Sequence, residues 1–137
     1  MKSKHIEALI SYRIERSRES IRAAEIMLEN EMLTISMNRV YYSMFYAVQA
    51  LLALYEVSFS KHGQVKGYFN RKLIKTGILS VEMGKLYNKV FEYRQKFDYV
   101  DFAAPDRKLV SEYIEKGREF HEKVKEYIQT QQQISKD

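Results

Sequence analysis

Arg94 and Asp98 stand four residues apart within Glu92-Tyr93-Arg94-Gln95-Lys96-Phe97-Asp98-Tyr99, a stretch dense in charge and aromatic rings. On a helix that spacing puts both side chains on one face, where a carboxylate can fix a guanidinium. A guanidinium held this way offers its planar fork to a phosphate. The plainer reading is a surface salt bridge of little energetic weight. Asn38-Arg39 is a second candidate, because it interrupts an otherwise apolar segment. A buried guanidinium needs a carboxylate, carbonyl or phosphate for its five donors. Arg39, with Asn38 beside it, is therefore either an anion-binding residue or part of a structural ion pair or snorkelling contact. Lys61-His62 is the third. His62 titrates near neutral pH and could move a proton, with Lys61 adding positive charge for a phosphate; a solvated loop pair is the alternative.

Other chemistries find no residues to carry them. The three histidines, His5, His62 and His121, are too dispersed for a recognisable zinc motif, and the chain has no Cys, so no metal site is expected. There is no glycine-rich phosphate loop and no nucleophile elbow, and no cofactor is expected.

The elements that position these residues read as helices. Ile6, Leu9, Ile10, Ile14, Ile21, Ala24 and Leu28 recur at three- and four-residue steps, giving a helix over about Ile6 to Leu28. From Ser36 to Val57 the chain is apolar on nearly every side, as in a helix central to a bundle or in a subunit interface. Ser58 to Gly67 reads as a connection holding His62, and a short helix follows through Phe69, Leu73 and Ile74 to Gly77. Ser80 is a plausible N-cap for a helix that carries Met83, Tyr87, Phe91, Arg94 and Phe97. Pro105 ends the next link, and a last helix runs from about Asp106 to Ile128, with a polar tail expected to fray from about residue 129.

With 5 Gly and 1 Pro in 137 residues there is little turn material for a β fold. The expectation is one all-α domain over residues 1–137, an up-and-down bundle of four main helices plus a short one. The net charge of +5 is compatible with nucleic acid or an acidic partner. No apolar run is long enough to span a bilayer and no signal core follows the N-terminus, so a cytoplasmic protein without membrane contact is the simplest reading.

In order and spacing these pieces resemble the HEPN domain, in its branch of small stand-alone prokaryotic proteins. The resemblance rests on Asn38-Arg39-Val40-Tyr41-Tyr42-Ser43-Met44-Phe45, Ala50-Leu51-Leu52, Lys61-His62-Gly63, Gly77-Ile78, Gly84-Lys85-Leu86, and Arg94 with Asp98-Tyr99. It covers roughly Ser17 to Ile128. It implies a helical bundle, often a homodimer, commonly encoded beside a minimal nucleotidyltransferase in a toxin–antitoxin pair. It also implies a metal-independent endoribonuclease as toxin, and in some systems adenylylation of a tyrosine near the catalytic motif.

That motif is an Arg followed, after four to six residues, by a His. Arg94 matches the Arg, but Tyr99, Val100 and Asp101 occupy the places where the His would stand. With an ordinary pKa near 10, Tyr99 is a poor base at neutral pH, and Asp98 is weakly basic unless buried. The catalytic set expected from the resemblance is Arg94, Asp98 and Tyr99, with His62 as substitute if the fold brings it to Arg94. Asn38, Arg39 and Lys61 are the phosphate- or nucleotide-binding set. Two functions remain open: an RNA- or nucleotide-binding component of a toxin–antitoxin pair, and a non-catalytic scaffold or adaptor that binds a protein partner.

Overall fold

The computed structural model describes residues 3–136, and all its regular elements are helical. Helix α1 spans Lys4–Glu29, α2 Leu33–Leu54, α3 His62–Phe69, α4 Val81–Tyr99 and α5 Arg107–Lys136. Helix α3 passes into a π-helical turn, Asn70–Ile74. No helix among the described residues is long and apolar enough to cross a membrane. The expected count of four main helices and a short one is met.

The caps are where short polar side chains can satisfy free amides. Ser3 accepts from the Ile6 amide at 3.2 Å, and Ser80 accepts from the Met83 amide at 3.2 Å. Asp106 accepts from the Leu109 amide at 2.8 Å, so it caps α5 from outside rather than opening it. Gly77 ends the α3 segment with φ of +81, a conformation glycine adopts without a Cβ penalty. Residues 129–136 continue α5 past its expected end near Ile128. No Gly or Pro interrupts them, and Gln and Lys are good helix formers.

Helix α2 is the centre of the bundle. Most of its residues are buried, and α1, α4 and α5 all pack against it. Its small buried hydroxyls bind neighbouring backbones: Ser36 donates to the Ala24 carbonyl at 2.7 Å, and Ser43 to the Ser17 carbonyl at 2.8 Å. Ser17 returns a bond to the Ser43 carbonyl at 2.7 Å and lies 2.8 Å from His121 Nδ1, tying α1, α2 and α5. Gly117 lets α5 come close, since a Cβ there would sit 2.9 Å from Ile21 Cδ1 and 3.3 Å from Val40 Cγ1. Gly84 does the same for α4 against Ile74 of the π turn. These contacts fix α3 and α4 against the aromatic face of α2.

Candidate phosphate-binding site

Tyr41, fully buried on α2, is the point where three helices meet. His62 of α3 reaches it from one side, its Nδ1 2.7 Å from the Tyr41 hydroxyl. The imidazole is stacked on Phe45, with centroids 4.3 Å apart and planes within 8°. Arg94 of α4 lies over the Tyr41 ring, 5.1 Å from its centroid. Its Nη2 donates to the Tyr99 hydroxyl at 3.1 Å and the Tyr42 hydroxyl at 3.3 Å. Its Nε is buried with no hydrogen-bond partner.

Arg39 completes the cationic face. Its guanidinium sits 5.0 Å from the Tyr42 centroid, and Arg94 sits 5.5 Å from the same ring. Tyr42 thus holds two guanidinium groups near one face of the bundle, each through cation–π attraction. Arg39 donates to Asn38 Oδ1 at 2.6 Å, and Asn38 Nδ2 donates to Asp98 Oδ2 at 2.7 Å. Neither arginine forms an ion pair with a carboxylate among the described residues.

The expected Arg94–Asp98 pair is therefore not what fixes Arg94. Asp98 is turned to Asn38, and Arg94 takes phenol oxygens and π faces instead. The physical result is the reverse of a salt bridge: positive charge is kept available while its geometry is held. A half-buried guanidinium with no carboxylate attracts an anion strongly.

His62 was expected in a connection, but it is the first residue of α3, with Lys61 as N-cap. The Lys61 backbone amide donates to Gln64 Oε1 at 3.3 Å, and the helix starts inside the span expected as a connection up to Gly67. The Lys61 side chain is exposed. Burial, and then the charge of Arg94, lower the His62 pKa below its ordinary value. The imidazole is neutral at physiological pH and able to accept a proton. Burial raises the Tyr41 phenol far above its ordinary value, so its hydroxyl keeps its proton.

Arg94, Asp98, Tyr99, His62, Asn38 and Arg39 are thus brought to one place, and Lys61 is not. Tyr41, Tyr42 and Phe45, which form the floor, were legible only as core aromatics. Two hydroxyl-bearing rings, two and three residues after Arg39 in an apolar helix, were the available signal. Among the described residues no group of three or more His, Asp or Glu side chains could hold a metal ion.

The sequence matches the family model for the HEPN domain over residues 10–127. The chain belongs to the HEPN domain family. It is 39% identical over 123 residues to a UPF0332 protein of Thermotoga maritima, covering 90% of this chain and 93% of that one. Two proteins of Methanocaldococcus jannaschii named as candidate toxins are also similar. One is 38% identical over 116 residues, with 84% of this chain and 78% of the relative covered. The other is 30% identical over 97 residues, with 71% and 72% covered. The site of this HEPN chain lies wholly within the matched span.

Proposed function

We propose that this HEPN chain is the toxin-like component of a toxin–antitoxin-type pair and acts on RNA through the Arg94 site. The observation that carries the reading is Arg94 itself. It is held by Tyr42, Tyr99 and the face of Tyr41, is left without a carboxylate, and stands beside a neutral histidine that contacts the same tyrosine.

In this reading Arg94 and Arg39 bind the scissile phosphate. His62 takes the proton of the ribose 2′-hydroxyl, whose oxygen attacks phosphorus as the bond to the 5′-oxygen breaks. The guanidinium groups offset the charge that builds on the phosphorane, and the departing 5′-oxygen takes a proton from solvent water, to which His62 later returns the one it accepted. The products are a 2′,3′-cyclic phosphate and a 5′-hydroxyl. Tyr41 suits this role because a hydroxyl can accept from Nδ1–H or donate to a bare Nδ1. It follows the imidazole through its protonation states.

The test is single-stranded RNA incubated with purified protein in excess chelator. Cleavage with cyclic-phosphate ends is expected, falling by about 100-fold or more in Arg94→Ala and His62→Ala. Intact RNA, or equal rates in all three proteins, would overturn the reading.

A second reading is favoured by Tyr99, which occupies the motif histidine's place and exposes its ring beside Arg94. Here the chain is a non-catalytic subunit that docks a minimal nucleotidyltransferase, and Tyr99 is the acceptor of an adenylyl group. Co-purification with such a partner, ATP-dependent labelling that Tyr99→Phe abolishes, and no RNA cleavage would select it.

A further inference from the structure

Between Asn38 and Gln49, the only residues of α2 that are not buried are Asn38, Arg39, Tyr42, Tyr46 and Gln49. Their steps of three and four place them in one stripe along the helix. Helices α1 and α4 both pack on α2, and both send arginines to this stripe. From α1, Arg16 lies 5.0 Å from the Tyr46 ring centroid, and its Nη2 donates to the Tyr46 hydroxyl at 3.1 Å. Tyr46 packs on Tyr42 with centroids 6.2 Å apart, and Tyr42 carries Arg39 and Arg94. One turn further along α2, Arg13 donates to the Gln49 carbonyl at 2.8 Å. Arg94, Tyr42, Tyr46 and Arg16 thus form an unbroken run of contacts across three helices.

The charge along this run is left open. Arg13 and Arg16, like Arg39 and Arg94, have no carboxylate ion pair among the described residues. Glu19 reaches Arg16 only through space. Elsewhere on the surface Arg18, Arg107 and Arg118 each pair with a glutamate. A guanidinium set against a phenol keeps its orientation without losing its charge. Tyr12 adds an open ring, because it stands four residues before Arg16 on the same side of α1 and is exposed. Fixed cations interleaved with aromatic rings match a strand that carries one phosphate for every base. The strand must be single, since a duplex turns its base faces inward and away from Tyr12.

We infer that Arg16 and Tyr12 form a second subsite for single-stranded RNA, Arg16 holding a phosphate along the strand from the one at Arg94 and Tyr12 stacking on a base. Tyr46 and Tyr42 position the guanidinium groups between the two subsites. The inference rests on the reading of Arg94 as a phosphate-binding residue of an RNA-acting chain. It adds that the strand runs from α4 over α2 to α1.

The test is the affinity of the full chain for fluorescent single-stranded 2′-O-methyl RNA, whose attacking hydroxyl is blocked so that it stays whole. Arg16→Ala and Tyr12→Ala both keep a good helix former in α1, and unchanged helicity by circular dichroism checks the fold. On a strand of about eight residues, Arg16→Ala binds about tenfold more weakly, and the slope of log affinity against log salt falls by about 0.7. Tyr12→Ala binds about fivefold more weakly with the slope unchanged, as expected for a lost stack. On a dinucleotide, whose single phosphate cannot meet both arginines, Arg16→Ala has a much smaller effect. If Arg16→Ala and Tyr12→Ala bind the longer strand like wild type while Arg94→Ala does not, the second subsite is overturned and the Arg94 reading stands. A loss in Arg16→Ala with an unchanged slope would also overturn it, because the arginine would then be meeting no phosphate. A loss in Arg16→Ala beside full binding in Arg94→Ala would instead contradict the Arg94 reading. A wild type that binds no RNA would overturn both.

Discussion

The hydroxyl of Tyr41 and Nδ1 of His62 lie 2.7 Å apart, joining a tyrosine at the centre of the bundle to the first residue of α3. The same tyrosine carries the Arg94 guanidinium over its ring, so the histidine and the arginine are fixed by one side chain. Arg94 is one of the two causes that depress the His62 pKa. In Arg94→Ala that cause is removed, and the His62 titration followed by NMR moves upward, toward the ordinary value of about 6.5. An unchanged midpoint would mean the two groups are not electrostatically coupled.

His121 gives a pH dependence of stability. It is 5% exposed, holds Ser17 at 2.8 Å and has a pKa lowered mainly by burial. The unfolded chain, with an ordinary histidine, binds a proton before the folded chain does. Stability is therefore fully present above the unfolded pKa of about 6.5 and is lost as pH falls below it toward the folded value. His62 adds in the same direction. Urea midpoints measured between pH 7.5 and 5.5 should fall with pH, and less steeply in His121→Gln.

Gly84 tests how α4 is seated. A Cβ there would lie 2.9 Å from Ile74 Cγ2 and 3.1 Å from Ile74 Cγ1, atoms on a β-branched carbon with little freedom. Overpacking costs about 1–3 kcal/mol, against a helix-propensity gain of about 1 kcal/mol for Gly→Ala. Gly84→Ala should be net destabilising in denaturant titration, and the same change at exposed Gly63, with open space around it, should not be.

Asn38 keeps Asp98 away from Arg94. Removing the amide frees a carboxylate that stands four residues from the guanidinium. Asn38→Ala should weaken RNA binding several-fold as Asp98 turns to Arg94. Adding Asp98→Asn should recover it. A double variant no better than the single would show that Asn38 contributes by direct contact instead.

How far the sequence reaches is visible in these same residues. Helix α2 could be read as central because its apolar residues leave no wet face, and the caps at Ser80 and Gly77 follow from local chemistry. Asn38, Arg39, His62, Arg94, Asp98 and Tyr99 could each be singled out by type. Their partners could not. Spacing offers Arg94 the carboxylate at Asp98, but a competing amide from α2, 60 residues away in sequence, takes it. Residue pattern gave no warning that the α3 segment ends in a π turn, since five-residue hydrogen bonding has no hydrophobic period of its own. Tyr41 looked like core and is core. Only the packing of α3 and α4 against its two sides makes it the hub of a site.

The most direct test of the Arg94 site is the affinity for a single-stranded RNA oligonucleotide, measured by fluorescence anisotropy across a salt series. If Arg94 meets a phosphate, wild type binds with strong salt dependence. Arg94→Ala should then bind about tenfold or more weakly, with the slope of log affinity against log salt reduced by roughly 0.7–1. Affinity and slope identical in the two proteins would contradict the account.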